Sequence, residues 1–204
     1  MKRLFEEDRD MMSAEWLFSS LTENGVFWFV SIFCVVAAYI DGTQLKVPNA
    51  ITFPMIIAGW LFSSITYGMA GEGWYMGFLW SIAGTAVGLA CLYPFYAIGG
   101  MGGGDVKMLA AVGAWVHCSI TMWAFFLSAI IGGLMAVLMI VFSKASSKHY
   151  YQFFGILNEI LAVKNPEKLS EIAAARKHTM RLLPYGIPIA IGTILHFAWI
   201  GRLF

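Results

Sequence analysis

Between two long apolar stretches the chain carries Gly99–Trp115, GGMGGGDVKMLAAVGAW, the run that most narrows what it can fold into. Asp105 and Lys107 are charged. A charged side chain at membrane depth costs about 3 kcal/mol or more, so its presence there points to function. Gly99, Gly100, Gly102, Gly103 and Gly104 let the backbone take unusual angles and let another backbone come close. Irregular backbone at that depth survives only where protein or a water-filled cavity surrounds it. The run therefore predicts a hydrated pocket with Asp105 at the start of a helix.

Composition supports the membrane setting. The 204 residues are 59% hydrophobic and 12% charged, where a soluble domain carries about 25% charged residues. This is the composition of an integral membrane protein with one helical domain in the lipid bilayer. A net charge of +1 without a long basic run offers nothing for nucleic acid. Cys34, Cys91 and Cys118 stand alone in apolar segments, without the CxxC spacing of zinc or redox sites. His117, His149, His178 and His196 lack ligand spacing, so no metal is expected. Residues 1–23 form a polar leader with six acidic and three basic residues, the wrong charge for a secretory signal.

Six apolar segments follow, which predicts an all-α, polytopic membrane domain over residues 24–204. Segment one covers Asn24–Ile40 and ends at Asp41. After the link DGTQLKVPN, Pro48 reads as a helix stop and Asn49 as a new N-cap. Segments two (Ala50–Gly68) and three (Trp74–Ile98) approach the ~20 residues a bilayer crossing needs. Segment four, Val106–Cys118, is short; segment five is Ile120–Phe142, and segment six, Leu182–Phe204, opens on PYGIP. Ser143–Arg181 is a basic loop, with seven Lys and Arg against three Glu. Tyr150, Phe153, Phe154, Leu157 and Leu161 recur there at helical spacing, the pattern of an interfacial amphipathic helix.

Charge orients the bundle. With six crossings and the N-terminus outside, nine Lys and Arg face the cytoplasm and four face outward, as cytoplasmic loops require. Making segment four re-entrant would put the basic loop outside. Asp41 and Asp105 are separated by two crossings, so both lie at the cytoplasmic interface, at helix ends able to converge. Two carboxylates brought within about 3–5 Å cannot both ionise cheaply and hold one proton between them. The ionised member can activate water while the protonated member binds a carbonyl oxygen. Intramembrane aspartates also serve as proton relays in transporters, and a helix-end aspartate can be simply solvated.

Gly102-Gly103-Gly104-Asp105 matches the GxGD motif of intramembrane aspartyl proteases, and GGGDVKMLAAVGAW resembles the type IV prepilin peptidases. Asp41 with Lys46, Pro48 and Asn49 resembles that family's first catalytic aspartate and its K-x-P-N element. Pro184-Tyr185-Gly186 resembles its late P-[YF]-G element. The resemblance spans residues 25–204 and implies Asp41 and Asp105 as the catalytic pair. It makes Lys46, Pro48, Asn49, Gly102–Gly104, Lys107 and Pro184–Gly186 supporting or substrate-binding residues. It implies no cofactor, pilin-like precursor proteins as substrates, and cleavage of their basic leader at the cytoplasmic face of the cell membrane. Longer members carry a cytoplasmic domain with paired CxxC motifs tied to N-methylation. This chain has neither, and resembles the short, peptidase-only form.

Lys107, two residues after Asp105, lies on a different helix face; it can meet substrate or lipid phosphate, or snorkel to the interface. Two other classes stay open. A proton-coupled transporter would use the aspartates as relays, and a non-enzymatic subunit of a pilus or secretion machine would not need them.

Overall fold

The structure, a computed structural model, describes residues 24–44, 46–97, 101–142 and 184–203. The polar leader, Gly99, Gly100 and the basic loop at 143–181 lie outside the described residues. The rest is helical: α1 Asn24–Gln44, α2 Asn49–Met69, α3 Trp74–Ala97, α4 Gly103–Phe142 and α5 Gly186–Trp199. The first four are long and apolar enough to cross a membrane, whereas α5 has 14 residues, about 21 Å of rise.

Two helix ends follow directly from local sequence. Gly71 (φ 80°) and Gly201 (φ 68°) adopt the left-handed conformation just beyond α2 and α5. The next residues, Glu72 and Arg202, donate their N–H groups to Tyr67 O and Phe197 O five residues back, at 3.1 and 3.0 Å. This is the glycine-terminated cap that satisfies the last carbonyls of a helix, and it turns the chain sharply from α2 into α3.

The apolar segments lie where expected, with four differences. Segment six, expected over Leu182–Phe204, forms only the 14-residue α5 and is shorter than the four helices long enough to cross. Asp41 does not end its segment: α1 continues through Gln44, so the carboxylate sits in the helix's last turn. Asn49 does not cap α2; Pro48, with extended angles, is the capping position and Asn49 the first helical residue. No loop separates segments four and five. They form the single element α4, interrupted at His117, whose φ of 61° and ψ of −171° are non-helical.

An unbroken helix of 40 residues would be about 60 Å long, twice the bilayer's apolar core. Instead the chain turns back at His117. Before the break α4 runs antiparallel to α3: Gly113 packs on Gly84, and Leu109 and Ala110 pack on Gly88. After it, Met122 Sδ lies 3.8 Å from Cys91 Sγ, so the chain is already returning along α3 towards its C-terminal end. By Gly132 it has reached Tyr185, at the start of α5 beside Asp41. α4 is therefore a helical hairpin with an inner arm, residues 103–116, and an outer arm, residues 118–142.

The inner arm is the centre of the bundle. Met108, Leu109, Ala110, Ala111, Val112 and Ala114 are all 0% exposed. Its small residues make this possible, because a Cβ on Gly84 would overlap the Gly113 carbonyl, and one on Gly88 would stand 2.6 Å from Leu109 O. Ser81 Oγ donates to Ala114 O at 2.5 Å and Trp115 Nε1 to Met55 O at 2.9 Å, seating the arm on α3 and α2. The perimeter is apolar and open. Ile32, Leu61, Ile130 and Val141 are 61%, 59%, 68% and 66% exposed, a surface suited to lipid rather than water.

Candidate active site

Four helix ends meet at one end of the bundle: the C-terminus of α1 and the N-termini of α2, α4 and α5. Asp41 is 2% exposed and Asp105 4%. They stand close enough for their charges to act on each other. Burying two carboxylates side by side is costly unless they are hydrogen-bonded and share a proton.

Each carboxylate is held by one backbone amide. Asp41 Oδ2 accepts the Gly186 N–H at 2.8 Å, and Asp105 Oδ2 accepts the Gly102 N–H at 3.1 Å. Asp105 occupies the first turn of α4, where the helix dipole favours an anion. Asp41 lies at the opposite kind of end, and the free amide at the start of α5 offsets the unfavourable dipole of α1. Asp105 Oδ1 is buried without a hydrogen-bond partner among the described residues. The amide bond to Asp105 falls on Oδ2, which leaves Oδ1 available to hold a proton.

The glycines admit what must come close. A Cβ on Gly104 would stand 2.7 Å from Val47 O, so the link between α1 and α2 lies directly across the start of α4. A Cβ on Gly186 would stand 2.9 Å from both Cβ and Oδ2 of Asp41. Gly103 backs onto the Tyr96 ring, and Gly102 supplies the amide to Asp105. Tyr185, half-buried, packs its ring on Gly132 and lies within the electrostatic reach of Asp105.

The sequence-predicted residues thus fall at one place, in different roles. Asp41, Asp105, Gly102, Gly104, Tyr185 and Gly186 form or line the carboxylate pair. Pro48 is the capping position of α2, and Pro184, just before the α5 capping residue Tyr185, accepts the Ile187 N–H at 3.3 Å. Lys107 Nζ donates to Asn49 Oδ1 at 2.9 Å and lies 4.8 Å over the Phe53 ring, directed to α2 rather than to Asp105. Lys46 is exposed. Sequence reasoning missed the roles of Val47 and His117. Gly132 and Gly133 read as small residues that permit close helix contact, and Gly132 is the one that meets Tyr185.

The type IV leader peptidase family model matches residues 28–137, more than half of the chain. Three curated relatives are named prepilin leader peptidase/N-methyltransferase. The Neisseria gonorrhoeae protein is 26% identical over 147 residues, covering 69% of this chain and 47% of its own length. The Bacillus subtilis (strain 168) protein is 30% identical over 130 residues, covering 61% and 48%. The Aeromonas hydrophila protein is 27% identical over 114 residues, covering 52% and 37%. The chain thus spans about half or less of the curated relatives it matches. No solved structure matches it.

Proposed function

Because the chain belongs to the type IV leader peptidase family, we propose that it is an aspartic endopeptidase that removes the leader of pilin-like precursors, with Asp41 and Asp105 as its catalytic pair. The observation that carries this reading is the convergence of two buried carboxylates from α1 and α4, each held by a backbone amide and one presenting an unpartnered oxygen.

The chemistry needs only the pair and a water. The ionised carboxylate takes a proton from the water as its oxygen attacks the scissile carbonyl. The protonated carboxylate donates to the carbonyl oxygen as it becomes the oxyanion of the tetrahedral intermediate. Collapse of the intermediate breaks the C–N bond, and the leaving amine takes up a proton from the pair. The products separate with the pair again holding one proton. The substrate's apolar helix lies in the bilayer against the bundle, and its leader reaches the carboxylates at the interface.

In this reading six crossings place the carboxylate end at the cytoplasmic face, as the nine-to-four distribution of Lys and Arg favours. The hairpin at His117 supports it by returning the chain to the carboxylate end before α5 begins. The link at 45–48 between α1 and α2 is too short to fold into a domain, and the activity proposed for the described residues is cleavage.

Co-expression of a pilin precursor with the wild type, Asp41→Asn or Asp105→Asn tests the assignment. Each variant should accumulate in the membrane and lose cleavage by at least about a thousandfold. Activity within tenfold of wild type in either would remove that residue from the chemistry.

A further inference from the structure

Lys107 is placed where a lysine is not expected for solvation alone. It lies two residues beyond Asp105, and its ammonium is carried to the first residue of α2, Asn49. A helix N-terminus is the positive end of the dipole and repels a cation. The residue is half-buried, with its charge held by a neutral amide oxygen and by the Phe53 ring one turn further along α2. Successive helical residues rotate about 100°, so Lys107 projects about 200° from Asp105 and cannot serve as its direct counter-ion.

What lies between the two anchors explains the arrangement. Asn49 is the first residue after the link Lys46–Val47–Pro48. Val47 is buried, with its N and O about as close to Gly104 as a backbone can come: a Cβ there would stand 3.0 and 2.7 Å from them. Gly104 immediately precedes Asp105. The link is thus pinned across α4 at the catalytic carboxylate, and the Lys107–Asn49 bond fastens its downstream end to the same helix.

We propose that Lys107 and Asn49 form a clamp that positions Asp105 by holding the α1–α2 link against Gly104. Neither residue touches the reacting atoms; both are positioning residues. The proposal rests on the peptidase reading of Asp105. Releasing the clamp frees the start of α2, lifts Val47 from Gly104 and lets the carboxylate shift and take on bulk water. The precursor's own binding along the apolar perimeter is left in place, so the loss falls on turnover.

The test is steady-state cleavage, by the full chain in liposomes, of a precursor with its leader and apolar helix. Lys107→Met removes the ammonium and keeps the stem, and Asn49→Ala removes the acceptor. Each should lower kcat by about tenfold or more with KM within about twofold, because small displacements at a reacting group are that costly. The double variant should lose no more than the worse single one, and Lys107→Arg, which can still reach Oδ1, should recover most of the rate.

A raised KM with unchanged kcat would overturn the proposal, because Lys107 would then contact the precursor itself. Multiplying losses in the double variant, no recovery by Lys107→Arg, or a rate loss matched in every variant by lost folded protein would overturn it too. Asp105→Asn assayed in parallel separates the two readings. If that variant still cleaves, the peptidase assignment of Asp105 fails; if it is dead and the clamp variants are unimpaired, only the clamp fails.

Discussion

Gly186, at the start of α5, donates its backbone N–H to Asp41 Oδ2, in the last turn of α1, at 2.8 Å across 145 positions of sequence. The donor belongs to a residue without a side chain, so the amide can approach the carboxylate closely. Gly186→Ala should cut cleavage by about a hundredfold, since its Cβ would stand 2.9 Å from Asp41 Cβ and Oδ2. Gly133→Ala is the matched control, because a Cβ there meets nothing within 4 Å. Measured with a co-expressed precursor, equal activity in the two variants would mean that the amide contact does not orient Asp41.

On the proposed reading, one proton shared by the two carboxylates sets the pH profile. Below the range in which the pair holds one proton, both members are protonated and no base remains. Above it both are ionised and no acid remains. The cleavage rate should therefore rise and then fall with pH, and the two limbs report the pair rather than either residue. The check is kcat/KM from about pH 4 to about pH 9 in permeable liposomes, where a profile with a single limb would reduce the titrating chemistry to one carboxylate.

The hairpin in α4 depends on a conformation that suits glycine. At φ 61° and ψ −171°, His117 carries about 1–3 kcal/mol of backbone strain. Its Nε2 lies 3.1 Å from Ser63 Oγ, and the Ser63 hydroxyl donates to Gly77 O at 2.9 Å. The serine has one proton, already given to that carbonyl, so His117 must donate from Nε2–H. His117→Ala keeps the strain and loses the bond, whereas His117→Gly loses the bond and removes the strain. In thermal unfolding in detergent, Ala should be the less stable of the two; the reverse order would show that the angles cost nothing.

The proposed orientation rests on the nine-to-four distribution of Lys and Arg. The outer arm of α4 passes Tyr185 at Gly132 and α5 begins beside Asp41, so the helix ends on either side of the basic stretch lie towards the carboxylate end. Single cysteines placed in Ser143–Arg181, with Cys34, Cys91 and Cys118 replaced, should be shielded from an impermeant thiol reagent in intact cells. Labelling from outside would put the carboxylate pair on the outer face.

The sequence alone determined the membrane setting, the presence and order of the apolar segments and the two carboxylates. These are local properties: hydropathy is summed along the chain, and a charge within it stands out wherever it falls. It also determined that Asp41 and Asp105 share an end of the bundle, since an even number of passes separates them. Only the tertiary structure decided what surrounds them. Segment four is short and rich in small residues because it is the central arm, most of it buried, as Val112 and Ala114 show. The turn at His117 carries no turn residue, because one strained residue absorbs the reversal and packing against Ser63 and Gly84 holds it. Asn49 reads locally as a cap but is taken by Lys107, 58 positions away, and the amide that orients Asp41 comes from Gly186. Such choices are made by which surfaces fit in three dimensions, and no local pattern records them.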